Sequence, residues 1–276
     1  MTPPLASRIA LITGGRRIGQ VVAEELARAG ADVALTYRSS LQEAEETAAR
    51  VRALGRRAIV LQADVSRPDD CAALAAAIDQ QLGALDIVVN MASTYVSRPL
   101  EEIDERAWRA DIDNNLSSAF LVTHAVLPLL RRRPPAHVVN FTDWLPASGR
   151  PRYTGFVAYY VAKAGVKALT EALALELAKD GILVNAIAPG PIVPPPDLDP
   201  EEARTVAEAT PLGRWGGELE TEALAKALGH KIAVIDAERL GKPGSEYVAS
   251  LYGTRNGEPD FSLLFRKNHF DIAKKK

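Results

Sequence analysis

In the stretch AYYVAK, residues 158–163, two tyrosines precede a lysine. A phenol, with a pKa of about 10, becomes a usable proton donor near neutrality when an adjacent cation stabilises its phenolate. On a helix, residues four apart share a face, so Lys163 pairs with Tyr159, while Tyr160 is turned away by about 100°. The spacing selects Tyr159 as the acid-base group and Lys163 as the charge that tunes it. Four-residue matches of this kind also arise by chance, so the reading depends on what surrounds them.

A second chemical stretch is TGGRRIG, 13–19. Its glycines let the backbone approach a phosphate, and a helix beginning there offers unpaired N–H groups and the positive end of its dipole. The run Thr36-Tyr37-Arg38-Ser39 lacks the acid with which NAD sites hold a ribose hydroxyl. Arg38, with Arg16 and Arg17 in the neighbouring turn, favours a 2′-phosphate and hence NADP over NAD.

The elements that must position these groups alternate along the chain. Apolar runs at 9–13, 32–37, 58–64, 85–90, 137–142 and 182–188 read as strands. Between them lie amphipathic segments, the first with Ile18, Val22, Leu26 and Ala29 at helical spacing, the later ones around 40–54, 69–82, 101–132 and 157–180. Runs such as IVV are apolar on successive residues, which suits strands buried on both faces. The expected fold is α/β, a doubly wound parallel sheet with helices on both faces. Residues 191–217, rich in proline and turn residues, read as a mobile flap over the site. KIAVIDA (231–237) has the composition of a last edge strand, and the apolar DFSLLF (260–265) is expected to dock on the body or on a partner subunit.

The chain has 276 residues, 47% hydrophobic and 25% charged, with net charge -2. That supports one large core and recruits neither nucleic acid nor an anionic membrane, leaving a small-molecule substrate as the expected partner. MTPPLASR lacks an export pattern, and no apolar run approaches the ~20 residues that span a bilayer, so a cytoplasmic location is expected. Cys71 is the single cysteine and sits in an Ala-rich helical segment; His124, His137, His230 and His269 have no ligand spacing, and no metal site is expected.

Taken together, TGGRRIG, Asp64-Val65 after the third strand, NMAS (90–93), the Asn-Leu of DIDNNLSSAF, YxxxK and NAIAPGPI (185–192) resemble the short-chain dehydrogenase/reductase family over roughly 5–217. The resemblance implies a Rossmann-type fold and hydride transfer between a nicotinamide cofactor and substrate. By position, Gly14, Ile18 and Gly19 match the pyrophosphate turn, Asp64 and Val65 frame the adenine, and Asn90, Ala92 and Ser93 run beside the cofactor. Asn115 matches the residue that helps hold a water linked to the lysine. Tyr159 would donate the proton, Lys163 would hold the nicotinamide ribose and tune the tyrosine, and Pro189, Gly190 and Ile192 would pack against the nicotinamide end.

The sequence also departs from the family's pattern. Asp143, in Asn140-Phe141-Thr142-Asp143, occupies the position of the usual serine. An ionised carboxylate only accepts hydrogen bonds and so fits a substrate presenting N–H groups. The Asp, the arginine-containing turn, the NxAS and the NADP end of strand two are similar to the pteridine reductase branch, which implies reduction of a C=N bond in a pterin, folate or cyclic imine. The alternatives are a 3-oxoacyl-type carbonyl reductase and a catalytically weak scaffold that has lost cofactor. Asp143 also reads as a capping acid, with Thr142 or Ser148 in the serine's role. It stands 16 residues before Tyr159, a longer interval than is usual, which an insertion in SGRPRYTG absorbs, and Tyr153 there is placed to stack on a flat substrate. The glycine turn is one residue shorter than the family's TGxxxGIG, which shifts its backbone donors, and Gly15 is given no role. The reading divides the chain into a domain at 1–217 and an atypical C-terminal extension at 218–276. A homo-oligomer is implied, but the unmatched extension removes the basis for assuming the family's usual tetramer.

Overall fold

The computed structural model describes residues 3–148, 154–192, 198–209, 247–250, 262–266 and 269–273. Tyr153, the turn-rich 210–217 with the boundary at 217, and KIAVIDA at 231–237 lie outside the described residues.

Six strands, β1 (Ile9–Thr13), β2 (Asp32–Tyr37), β3 (Ala58–Gln62), β4 (Ile87–Asn90), β5 (Ala136–Phe141) and β6 (Ile182–Ile187), form one parallel sheet in the order β3-β2-β1-β4-β5-β6. The helices are α1 (Ile18–Arg28), α2 (Leu41–Ala53), α3 (Pro68–Leu82), α4 (Glu105–Ile112), α5 (Ser118–Leu130), α6 (Trp144–Ser148), α7 (Val157–Leu177) and α8 (Pro200–Ala209). Every residue of β1, β4 and β5 is buried. Along β1, Ala10 and Ile12 pack with Val22, Leu26 and Val51 of α1 and α2; Ile9 and Leu11 belong to a second cluster with Ile78, Val122 and Val126 of α3 and α5. Two cores, one on each face, explain why these strands read as continuous apolar runs, since each such side chain gains about 1.5–3 kcal/mol on burial.

One expectation is corrected. The segment 101–132 is not one helix: the Asp104 carboxylate caps α4 by accepting from Ala107 N at 2.7 Å, and a π-helical turn over Asp113–Ser117 separates α4 from α5. A local widening of this kind inserts a residue without ending the helical path, and so leaves no mark in the periodicity. Within 191–217, the segment read as a flap, α8 occupies 200–209 and buries Val206. DFSLLF overlaps β8 (Ser262–Arg266), the middle strand of a small antiparallel sheet with β7 (Tyr247–Ser250) and β9 (His269–Ala273), so its backbone pairs within the C-terminal segment itself. Among the described residues no helix is long and apolar enough to cross a membrane.

The strand order reverses between β1 and β4, which opens a crevice beyond their C-terminal ends. A buried polar ladder ties the elements beneath it. Asn90 Nδ2 donates to Asn140 Oδ1 at 2.9 Å and to Thr123 Oγ1 at 3.1 Å, and Asn140 Nδ2 donates to Thr170 Oγ1 at 2.9 Å, linking β4, β5, α5 and α7. Replacing Asn140 with Ala strands partners that water cannot reach, and is expected to cost about 1–3 kcal/mol. A urea titration should show the midpoint falling with an unchanged slope; an unmoved midpoint would show that the ladder carries no stability.

Candidate active site

The C-terminal end of β5 is joined to α7 by a reciprocal pair of contacts. Lys163 Nζ donates to Phe141 O at 2.8 Å, and Thr142 Oγ1 donates to Lys163 O at 2.7 Å. Lys163 is buried, which draws its pKa down to about 8 against the opposing charge of Asp143. One helical turn earlier Tyr159, also buried, stands with its ring centroid 5.8 Å from that ammonium. Its hydroxyl donates to Asp143 Oδ2 at 3.1 Å. The other carboxylate oxygen accepts from Leu145 N at 2.8 Å at the start of α6, so Asp143 is both a local turn acid and the tyrosine's partner. Burial pushes the Asp143 carboxyl up, opposed by the Leu145 N–H, the Lys163 charge and the Tyr159 hydroxyl. Thr142 is committed to the Lys163 carbonyl and so does not stand in for a serine, and Ser148's side chain lies outside what is described. Tyr160, on the next position of α7, is only partly buried.

Opposite this cluster the chain leaving β4 meets the π-helical turn. Asn115 Oδ1 accepts from Ser93 Oγ at 2.6 Å and from Thr94 N at 2.9 Å, while its Nδ2 donates to Asp111 O at 3.0 Å. The Asn115 side chain is thus a clasp between two segments. The Asn90 side chain is buried in the polar ladder below the crevice, and its Oδ1 has no hydrogen-bond partner among the described residues. The aromatic pair Tyr95 and Phe156, which sequence reasoning missed, stacks at 4.3 Å, and Tyr95 stands edge-on to Tyr159 at 5.0 Å. Its only signal was an aromatic residue just after NMAS.

The nucleotide half begins where Thr13 Oγ1 accepts from Met91 N and Ala92 N, at 3.0 and 3.1 Å, clamping the ends of β1 and β4 together. Gly19 N then donates to Arg16 O at 2.9 Å, and a Cβ at Gly19 would meet Gly14 O at 2.0 Å, so only glycine closes this shortened turn. Arg17, just before Ile18 opens α1, takes φ 53 and ψ -115, a region that costs a non-glycine residue on the order of 1–3 kcal/mol. Arg17 is held below its ordinary pKa by burial and by the Arg16 charge. Arg38 Nη1 donates to Asn114 Oδ1 at 3.2 Å; burial acts to raise the Asp64 carboxyl, but the Ser66 hydrogen bonds and then the Arg38 and Arg67 charges outweigh it and hold that carboxyl low. Arg38 thus stands between Tyr37 and Ser39 at the end of β2, across from Asp64 and Val65. Pro189 O accepts from Trp144 N at 3.2 Å, which brings Pro189 and Gly190 beside Asp143, while Ile192 is buried in the core. The donor set fits an NADP-type dinucleotide: crowded guanidiniums are relieved by a phosphate dianion. Among the described residues no group of three or more His, Cys, Asp or Glu is placed to hold a metal ion, and Cys71 is a buried thiol raised to about 11 by burial and the Asp70 and Asp64 charges.

Residues 8–202 match the family model described as short chain dehydrogenase. A 3-oxoacyl-[acyl-carrier-protein] reductase FabG of Staphylococcus epidermidis is 34% identical over 217 residues, covering 78% of this chain and 88% of the relative. General stress protein 39 of Bacillus subtilis is 35% identical over 223 residues, covering 78% and 76%. Among solved structures, a short chain dehydrogenase from Burkholderia cenocepacia in complex with NADP superposes with a TM-score of 0.72 at 29% identity, over 87% of this chain and 92% of that one. The Pseudomonas aeruginosa RhlG/NADP active-site complex gives 0.73 at 36% identity, over 83% and 92%.

The buried lysine makes stability depend on pH with a defined sign. Lys163 loses its proton near pH 8 when folded and near 10.5 when unfolded. Below 8 both states are charged and the full desolvation penalty is present; between 8 and 10.5 the unfolded chain binds more protons, so this group's contribution improves as pH rises. The difference in unfolding free energy, Lys163→Met minus parent, is therefore expected to fall from pH 7 to pH 10.5 in urea titrations. A difference that does not vary with pH would contradict it.

Proposed function

This chain belongs to the short-chain dehydrogenase family, and we propose that within it the protein is an NADPH-dependent reductase of a C=N or C=O bond in a small cyclic molecule, with Tyr159 as proton donor. The observation that carries this reading is the Tyr159 to Asp143 hydrogen bond at 3.1 Å above a buried ammonium. Reduced nicotinamide, when bound, supplies the hydride. Gly14, Gly19, Arg16, Arg17 and Arg38 would hold the phosphates, Asp64 and Val65 the adenine, and Lys163, Pro189, Gly190 and Ile192 the nicotinamide end. Tyr159 gives its proton to the heteroatom of the reduced bond, and the Lys163 charge stabilises the phenolate left behind.

Asp143 narrows the substrate class. An ionised carboxylate accepts only, so a substrate with an N–H beside the reducible bond engages Asp143 and frees the Tyr159 hydroxyl to point at the reacting atom. A pterin, folate or related cyclic imine has that edge. A plain ketone does not: its developing oxyanion would face a carboxylate, and turnover would require Asp143 to be protonated. Burial, which raises the Asp143 carboxyl, moves it in that direction. The 3-oxoacyl reading is kept because 3-oxoacyl-[acyl-carrier-protein] reductases are among the relatives. A homo-oligomer is part of the proposal, supported by the exposed apolar side chains Phe120 on α5 and Val161 and Leu175 on α7.

Measured with saturating NADPH, Tyr159→Phe is expected to lose at least a hundredfold in kcat while binding NADPH nearly as before, whereas Tyr160→Phe changes little. Equal losses would refute the assignment of the proton donor. NADPH oxidation with dihydrobiopterin or dihydrofolate is expected to exceed that with an acetoacetyl thioester, and thioester turnover is expected to decline as pH rises through the Asp143 titration. Faster thioester turnover that is insensitive to that titration would remove the pterin reading.

A further inference from the structure

Residues 91–99, between β4 and α4, are neither helix nor strand, yet they are held from two sides. Ser93 and Thr94 close on Asn115, as described above. Tyr95 stacks on Phe156 and presents its edge to Tyr159. At the far end Arg98 N donates to Gly155 O at 2.8 Å, and Arg98 Nη1 donates to Asp111 Oδ2 at 2.9 Å. The strap passes so near the lead-in to α7 that a Cβ at Gly155, whose φ is +87, would lie 2.5 Å from Ser97 Oγ. The Asp111 side chain is only 7% exposed, and Asp111 O also accepts from Asn115 Nδ2. One residue of α4 therefore serves both ends of the strap, by its carboxylate at Arg98 and through Asn115 at Ser93.

We propose that the Arg98–Asp111 ion pair is a positioning pair for the reduction, setting the strap so that Tyr95 and Phe156 brace the ring of Tyr159 in the orientation that reaches Asp143. The proposal rests on the reading of Tyr159 as proton donor. The position of a tyrosine hydroxyl follows from two side-chain torsions, the second of them a broad one, and a small error in where the hydroxyl points is costly to a proton transfer. Tyr95 and Phe156, stacked on each other, both meet that ring edge-on, at 5.0 and 6.3 Å, a geometry aromatic pairs favour. Arg98 ties the far end of the strap by its main-chain hydrogen bond to Gly155 O and by its charge to Asp111, and without the ion pair the charged tie is lost and the neutral one remains. Removing one member alone also leaves a poorly solvated charge, so the two residues act as a unit.

The test uses the full chain and the variants Arg98→Met, Asp111→Asn, Arg98→Lys and the double Arg98→Met/Asp111→Asn, which leaves no unpaired charge and keeps the test open where a single variant fails to fold. With NADPH and either dihydrobiopterin or an acetoacetyl thioester, kcat is expected to fall about tenfold in Arg98→Met and in Asp111→Asn with NADPH affinity unchanged. Arg98→Lys should recover most of the rate, and the double variant should be no worse than Arg98→Met. Without substrate, hydrogen exchange of amides 156–160 is expected to be faster in Arg98→Met. An unchanged kcat overturns the proposal whatever the exchange shows, because the clip would then be structural only; loss of NADPH affinity in parallel with rate overturns it too. Where the parent turns over neither probe, the reductase reading fails on its own, and exchange at 156–160 decides the brace: unchanged exchange overturns it.

Discussion

The site depends on one desolvated cation. Lys163 sits in the seam between α7 and the end of β5, its ammonium on the Phe141 carbonyl and its own carbonyl on the Thr142 hydroxyl. Burying an ammonium is expensive unless it is well bonded, and here the compensation comes from a strand's terminal carbonyl and a nearby carboxylate. That arrangement fixes the register of α7 against β5. Register in turn fixes where Tyr159 and Asp143 meet, because one lies a helical turn before the lysine and the other two residues after the strand. The opposed pKa directions of Lys163 and Asp143 have one cause, the removal of water from both.

The nucleotide turn shows how a deletion is absorbed. With one residue fewer than the family's usual form, the turn still brings Gly14 against Gly19, but it does so by placing Arg17 in a backbone region that glycine adopts more cheaply. Strain at such a place is commonly retained for function, and Arg17 contributes a guanidinium beside Arg16 where a phosphate would be met. The turn thereby keeps its closure at the cost of backbone strain at Arg17, and sets two guanidiniums side by side.

Beyond the cluster of Tyr159, Lys163 and Asp143, the crevice is bounded by segments without regular structure that are nonetheless tightly bonded. Asn115, on a π-helical turn, clasps Ser93 and Thr94, and the Asn90–Asn140–Thr170 ladder locks the strands below. The unsatisfied Asn90 Oδ1 is the one side-chain acceptor in that ladder left without a donor among the described residues. Walls bonded in this way fix where the Tyr159 ring and the Asp143 carboxylate stand relative to each other.

What the sequence determined follows from short-range rules. Continuous apolar runs specified buried parallel strands, and the four-residue step put Tyr159 rather than Tyr160 beside Lys163; each depends on neighbours a few positions away. The side-chain direction of Asn90, the double duty of Asp143, the π-helical turn within 101–132 and the pairing of DFSLLF were not legible. The first two turn on partners distant in the chain, as when Asn90 meets Asn140 or Asp143 meets Tyr159. Local periodicity records which face of an element is buried. Only tertiary packing decides which polar groups meet across elements, because a buried donor or acceptor is satisfied by whatever the fold brings within 3 Å.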